Sequence, residues 1–174
     1  MKKISVSRKI NAELETVWLM FSEFDLVHKF HPMVKTSPAQ GNSCKGKGAE
    51  RICTMYNGMK AKEVITDCRE HEYLKIDIIE SPMPFKQAFG EFFFIKLDEN
   101  TTRINIDMWL EPKFGIFGEY LFTLVMKRQL SKMLDGVLEG LDNYLTSGCL
   151  IGKNGTQLDQ DPDFLDLVKH NRAA

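Results

Sequence analysis

The feature that most constrains the fold is a long amphipathic segment in the C-terminal third of the chain. Apolar side chains recur there at helical spacing and form one broad face. Such a face must be buried against another large element, and the only large element before it has an apolar period of two. The sequence therefore predicts a long helix packed on a sheet. The apolar face contains Phe117, Leu121, Leu124, Val125, Met133, Leu134, Val137, Leu138, Leu141 and Leu145.

The segments that precede this helix predict one strand, two helices and six further strands. Polar and apolar residues alternate from Ile4 to Arg8, and Asn11 can cap a helix with an apolar stripe from Leu14 to Phe21. A second short helix is expected from Asp25 to Pro32. The six strands are expected near Val34–Gly41, Ala49–Tyr56, Met59–Glu70, Tyr73–Ser81, Gln87–Leu97 and Thr102–Pro112.

Composition limits the class of protein. A chain of 174 residues can bury one sizeable core, and 23 basic against 24 acidic residues do not form the charged footprint of a nucleic-acid binder. The start is not a signal peptide, no stretch is long and apolar enough to span a membrane, and the four cysteines are interpreted as free thiols. These observations predict a soluble, cytoplasmic α+β protein.

The chain after the long helix is interpreted as an extension of the domain. We expect a domain over residues 1–147 and a polar extension over 148–174. Asp161 and Pro162 resemble the cap and first turn of a short helix that carries Phe164 and Leu167. This helix either docks on the body of the domain or binds a partner.

The order of elements and several local motifs resemble one known superfamily. The chain is similar, over about Lys3 to Leu145, to the START-like (SRPBCC) superfamily, which includes polyketide cyclase/dehydrase, lipid-transport and birch-pollen-allergen-like proteins. The motifs that carry the resemblance are Asn11, Ala12, Glu15, Val17 and Trp18, then Phe30, His31 and Pro32, then Gly41, Gly46, Gly48, Arg51 and Glu63, and finally Gly140, Leu141 and Tyr144.

This resemblance implies a helix-grip fold, in which a curved antiparallel sheet of about seven strands wraps around the C-terminal helix. It also implies a cavity for apolar or aromatic molecules. It implies no particular reaction, because the superfamily has no shared catalytic triad.

The predicted strand registers assign residues to the concave face of the sheet. If a four-residue turn joins Leu97 to Thr102, then Phe93 lies opposite Ile106 and Glu91 lies opposite Met108. The same procedure at the other hairpins adds further residues to that face. The ligand-binding residues predicted from the strands are Arg51, Cys53, Val64, Thr66, Ile76, Ile78, Phe89, Glu91, Phe93, Ile106 and Met108, and the long helix adds Phe117, Leu121, Leu124 and Val125.

A carboxylate on an apolar face requires a partner. We therefore predict that Arg51 pairs with Glu91, directly or through a polar group of the ligand, and that the two residues fix the oxygen atoms of an aromatic or acyl molecule. The alternative is a buried ion pair with a purely structural role.

The loops at one end of the predicted sheet are unusually apolar. We expect Met83, Phe85, Phe114 and Ile116 to form the mouth of the cavity or a rim that touches a membrane or a protein. The alternative is that these side chains only contact one another.

These features favour non-catalytic binding or carriage of a hydrophobic small molecule such as a lipid, an aromatic or a polyketide-like compound. One alternative is a cyclase or dehydratase with Glu91 as general acid/base and Arg51 polarising a carbonyl. Another is an interaction module that contacts a protein or a bilayer surface. No motif indicates a cofactor or a metal site.

Overall fold

The computed structural model describes residues 1–41, 43–113 and 126–170, and the side chains of residues 169 and 170 are outside that description. The elements follow the predicted order. Strand β1 (Lys2–Ile10) is followed by helix α1 (Leu14–Ser22) and by a 3₁₀ helix at Leu26–Lys29, which is shorter than the predicted second helix. The remaining strands of the main sheet are β2 (Val34–Thr36), β3 (Ala39–Gln40), β4 (Glu50–Met55), β5 (Lys60–Arg69), β6 (Tyr73–Glu80), β7 (Phe85–Asp98) and β8 (Thr101–Pro112).

One antiparallel sheet of eight strands forms the body of the described chain. Its order is β1-β8-β7-β6-β5-β4-β2, with β3 also paired to β4. The predicted strand at Val34–Gly41 is therefore two short strands, and the other predicted strands are each present. The prediction of an α+β fold with a large antiparallel sheet is confirmed.

The C-terminal helix α2 (Lys127–Ser147) covers the inner face of this sheet. Its buried side chains are on one stripe that includes Leu134, Leu138 and Leu141, and the helix contacts β1. Helix α1 adds Val17 and Phe21 to the same core. The helix-grip architecture therefore agrees with the period of 3.6 read from the sequence. The predicted first part of the long helix, Phe117 to Val125, lies outside the described residues.

The β7–β8 hairpin differs from the predicted register by one residue. Asp98 pairs with Thr101 across a two-residue turn, but Lys96 pairs with Thr102, so Leu97 has no opposite residue and forms a bulge. Beyond the bulge, Phe92 is opposite Ile106 and Gly90 is opposite Met108, where Phe93 and Glu91 were expected. A shift of one residue exchanges the two faces of a strand, so the predicted inner set of β7 is wrong.

The observed registers of two more hairpins also differ from the predicted ones. Between Ile65 and Asp67 the β5–β6 register shifts at Thr66, and Val64 is opposite Asp77 on the outer face. In the β4–β5 hairpin Cys53 is opposite Ala61, whereas a two-residue turn at Asn57 and Gly58 would place Lys62 there. The loop of this hairpin is one residue longer than a two-residue turn, because Met55 N–H bonds to the Met59 carbonyl and Gly58 adopts a positive φ of 85°.

The residues after α2 return to the body of the domain. Strands β9 (Cys149–Ile151) and β10 (Gln157–Gln160) form a small second sheet, and helix α3 (Phe164–His170) follows. Ile151 is buried in the core, and the Phe164 ring packs edge-on against Tyr144 at 5.4 Å. The short helix therefore docks on the domain.

Candidate functional site

A cavity of about 210 Å³ lies between the concave face of the sheet and helix α2. The loop from His31 to Val34 closes part of its wall. The sheet and the helix supply mainly apolar side chains, as expected for a site that holds an apolar molecule. The sheet contributes Cys53, Ala61, Ile76, Ile78, Phe92, Ile106 and Met108, and the helix contributes Met133, Leu134 and Val137.

A second cavity, of about 360 Å³, adjoins the first. Among the described residues, six line both cavities: Ile78, Ser81, Met83, Met108, Met133 and Leu134. Three of the six are methionines, whose unbranched side chains change rotamer at low cost. The lining shared by the two cavities therefore includes three side chains that can change conformation at low cost.

A buried ion pair interrupts the apolar wall of the first cavity. Arg51 is 6% exposed and lies opposite Glu63 on the paired strands β4 and β5. Its Nε donates to Glu63 Oε2 at 2.7 Å, and a second guanidinium nitrogen also contacts this oxygen. Another guanidinium nitrogen donates to the Phe24 carbonyl at 3.1 Å, and the Phe24 ring lies 4.0 Å from Arg51 Cζ. The guanidinium is thus fixed by a carboxylate, a carbonyl and an aromatic face.

Cys53 lies next to this pair. Its Sγ donates to Glu63 Oε2 at 3.8 Å. Burial and the nearby Glu63 carboxylate raise the pKa of the thiol to about 12, although Arg51 acts in the opposite direction. Because the thiolate is the nucleophilic form, Cys53 is a weak hydrogen-bond donor at neutral pH and no candidate nucleophile.

His31 is the third polar group of the wall. The backbone N–H of Met33 donates to His31 Nδ1 at 3.1 Å, so the neutral ring carries its proton on Nε2. Burial lowers the pKa of His31 to about 4; the Arg51 charge also lowers it, whereas Glu63 raises it. The ring is therefore neutral at pH 7 and offers a single N–H donor.

Several predicted ligand-binding residues line these cavities. Arg51, Cys53, Ile76 and Ile106 line the first, and Ile78 and Met108 line both. Of the predicted mouth residues, Met83 lines both cavities and Phe85 lines the second. The remaining residues predicted from the helix and the mouth lie outside the described residues, namely Phe114, Ile116, Phe117, Leu121, Leu124 and Val125.

The predicted pair of Arg51 and Glu91 is wrong. Glu91 lies on the outer face of the sheet, where it accepts hydrogen bonds from Tyr73 Oη at 2.9 Å and from Trp109 Nε1 at 2.7 Å. The bulge at Leu97 causes this difference, because it reverses the faces of β7.

Four further residues predicted for the inner face also lie on the outer one. Phe89 stacks on Trp109, and Phe93 packs against Tyr73. Val64 is opposite Asp77, and Thr66 donates a hydrogen bond to the Asp77 carboxylate at 3.0 Å. Their predicted inward orientation is wrong, for the same reason of a one-residue register shift.

Several lining residues were not identified from the sequence as site residues, and Glu63, His31 and Phe92 are among them. Glu63 and His31 appeared only among the motifs of the family resemblance, and Phe92 was assigned to the opposite face. The signal for Glu63 is the hairpin itself, because a three-residue loop between Met55 and Met59 sets it opposite Arg51. No comparable signal for Phe92 exists in the sequence, since the bulge at Leu97 does not require a special residue.

The part of the chain that the structure describes contains neither a candidate metal site nor a membrane-spanning helix. No group of three or more His, Cys, Asp or Glu side chains is placed to hold a metal ion. No helix there combines the length and the apolar character needed to cross a membrane.

Solved structures with the same fold are similar in shape but not in sequence. The protein XoxI from Bacillus cereus matches with a TM-score of 0.69 and 15% identity over 84% of this chain and 97% of its own. A START superfamily protein from Mycobacterium smegmatis matches with a TM-score of 0.65 and 15% identity, over 82% of this chain and 95% of its own. Norcoclaurine synthase from Thalictrum flavum, in complex with dopamine and hydroxybenzaldehyde, matches with a TM-score of 0.59 and 15% identity. The match covers 79% of this chain and 84% of that protein.

Comparison of the sequence itself gives the family. No curated protein matches the chain. Residues 1–146 match the model of the family described as polyketide cyclase / dehydrase and lipid transport. This match spans the whole helix-grip domain, from β1 to the end of α2. The chain therefore belongs to the polyketide cyclase/dehydrase and lipid-transport family.

Proposed function

We propose that this protein binds and carries a hydrophobic small molecule in the space between the sheet and α2. The observation that carries the proposal is the pair of adjoining cavities, whose shared lining is mostly apolar and includes Met83, Met108 and Met133. Together the cavities exceed the roughly 300 Å³ at which small-molecule sites begin. Transfer of apolar ligand surface from water into such a space is favourable by about 25 cal/mol per Å².

The few polar groups of the wall support binding over catalysis. Arg51 is held by Glu63, Phe24 and the Phe24 carbonyl, His31 Nδ1 is occupied by a backbone N–H, and the Cys53 thiol is protonated at neutral pH. Groups arranged in this way can orient a ligand, and Glu63, the one carboxylate among the described residues that line the first cavity, already neutralises Arg51. The enzyme alternative required Glu91 in the cavity, and Glu91 is on the other face of the sheet.

The family and the structural relatives are consistent with this role. The family description includes lipid transport, and one relative of the same fold was solved with two aromatic molecules. At 15% identity the relatives support only the fold, so the nature of the ligand here must come from this chain's own cavity.

A titration with a neutral fluorescent probe tests the proposal. N-phenyl-1-naphthylamine should bind the purified protein with a rise in fluorescence, and native mass spectrometry should show any molecule retained from the expression host. Ala61→Phe places a large ring in the first cavity and should weaken probe binding by at least about tenfold, since the space is no longer available.

Val64→Phe is the matched control for this variant. It introduces the same ring on the same strand, but on the outer face opposite Asp77, so probe affinity should not change. Absence of probe binding to the folded wild-type protein would refute the proposed function. Equal loss of binding in both variants would show that the probe does not occupy the cavity.

A further inference from the structure

The first cavity has a balanced internal charge. The Arg51 guanidinium is compensated by Glu63, and both side chains are largely buried, with 8% and 14% of their surface exposed. His31 adds no charge, because its ring is neutral at pH 7. Lys60 is the only other ionisable cation among the described lining residues, and it is exposed at the start of β5, where water solvates its ammonium group.

The hydrogen bonds at this wall leave a donor on His31 and an acceptor on Glu63 for a ligand, besides the Arg51 N–H groups that the bonds to Glu63 and Phe24 do not use. Glu63 uses Oε2 for Arg51 and Cys53, and its Oε1 has no partner among the described residues. His31 uses Nδ1 for the Met33 N–H, which leaves Nε2–H. A hydroxyl group can donate to a carboxylate oxygen and accept from an N–H at once, whereas a carboxylate can only accept.

We infer that the interior of this cavity selects uncharged apolar molecules with a hydroxyl group, and that it discriminates against the corresponding carboxylates. The inference rests on the proposed function, because it names the ligand class of the same site. A hydroxyl group matches the free donor and acceptor without adding charge.

A carboxylate in the same place finds no uncompensated positive charge among the described residues that line the first cavity, apart from the exposed Lys60. Arg51 already pairs with Glu63, and the Glu63 charge repels a second anion at short range in a medium of low dielectric. Burial of an unpaired ion costs several kcal/mol, whereas a neutral hydroxyl with both hydrogen bonds satisfied costs little. The difference should appear as a large affinity ratio between alcohol and acid.

Competition against bound N-phenyl-1-naphthylamine measures this ratio. The competitors are 1-decanol, methyl decanoate and decanoate at pH 7.5, which share a chain length and differ in the polar end. Lys60→Met is used as the background, because it removes the exposed cation at the rim of the first cavity. We expect 1-decanol to bind at least about tenfold more tightly than decanoate, with methyl decanoate also more tightly bound than decanoate.

Removal of the Glu63 charge should reduce the preference for the uncharged ligand. Glu63→Gln leaves Arg51 without its counter-charge, so decanoate should gain affinity relative to 1-decanol by at least about tenfold. If this variant does not fold, the comparison of decanoate with its uncharged methyl ester in the Lys60→Met background still tests the role of charge.

The outcomes separate the two proposals. Decanoate affinity equal to or greater than that of 1-decanol in the Lys60→Met protein would overturn the ligand class, although the bound probe would leave the proposed function intact. Failure of the probe to bind would refute the proposed function itself.

Discussion

Lys29 Nζ lies 2.6 Å from Asp161 Oδ2, and this ion pair joins the 3₁₀ helix after α1 to the extension that follows α2. Both side chains are buried, with 9% and 2% of their surface exposed. The same carboxylate oxygen accepts a hydrogen bond from Tyr144 Oη at 2.6 Å. The extension is thus tied to the domain by a buried network, although its sequence is mostly polar.

Loss of the Asp161 charge should strongly destabilise the protein. Asp161→Asn leaves the Lys29 ammonium buried without a counter-charge, which typically costs about 3–5 kcal/mol. Asp163→Asn is the control, because that carboxylate is 74% exposed and 3.5 Å from Lys29, and it should cost less than about 1 kcal/mol. Urea unfolding of both variants measures the difference, and equal effects would contradict the assigned role of Asp161.

Acid should destabilise the protein through His31 between about pH 6.5 and pH 4. Burial lowers the pKa of His31 from 6.5 to about 4 in the folded protein, so the unfolded chain binds an extra proton in this range. Stability is therefore full above pH 6.5 and decreases as the pH falls, by up to about 3 kcal/mol at pH 4.

His31→Asn should remove that part of the pH dependence. Asparagine can still accept the Met33 N–H through its side-chain oxygen, but it does not titrate. The control is His71→Asn in the β5–β6 turn, where asparagine tolerates the positive φ of 60°. The free energy of unfolding is measured by urea titration at several pH values. An unchanged slope in His31→Asn would show that other groups cause the acid sensitivity.

Glu91→Gln should change stability without changing ligand affinity. Glu91 accepts hydrogen bonds from Tyr73 and Trp109 on the outer face, and hydrogen bonds to a charged group contribute about 1.5–3 kcal/mol. Probe titration and urea unfolding of the same variant separate the two effects. A clear fall in probe affinity would contradict the register of β7 and would indicate that Glu91 faces the cavity.

Two glycines of α2 should respond in opposite directions to alanine. A Cβ at Gly140 would lie 2.1 Å from the Phe30 carbonyl oxygen, so Gly140→Ala forces the backbone apart and should cost at least about 2 kcal/mol. A Cβ at Gly136 meets only Pro32 Cγ at 3.7 Å, so Gly136→Ala should stabilise the helix by about 0.5–1 kcal/mol. Thermal unfolding distinguishes them, and a tolerated Gly140→Ala would contradict the close packing of α2 on Phe30.

The β7–β8 hairpin shows where prediction from sequence succeeds and where it fails. Alternation from Thr102 to Leu110 correctly identified Ile104, Ile106 and Leu110 as the buried face of β8. The facing strand has Phe92, Phe93 and Phe94 in a row, so both of its faces read as apolar and the pattern does not select one. The register was then set by the assumed turn, and the bulge at Leu97 shifted it by one residue.

The candidate site depended on the same kind of detail. Arg51 and Cys53 were correctly placed on the inner face of β4, but the partner of Arg51 was identified as Glu91 instead of Glu63. To predict an ion pair between two strands, the register of those strands must be known. An error of one residue in the register moves a carboxylate to the opposite face of the sheet.

The sequence by itself determined the class of fold, the order of its elements, the amphipathic face of α2 and the apolar character of the space beneath it, because these follow from periodicities that extend over many residues. Only the tertiary structure decided which polar side chains enter that space and how their charges balance. The loop between Met55 and Met59 places Glu63 opposite Arg51, and the bulge at Leu97 turns Glu91 to the outer face. A bulge depends on how two strands twist against the rest of the sheet more than on the residue that forms it.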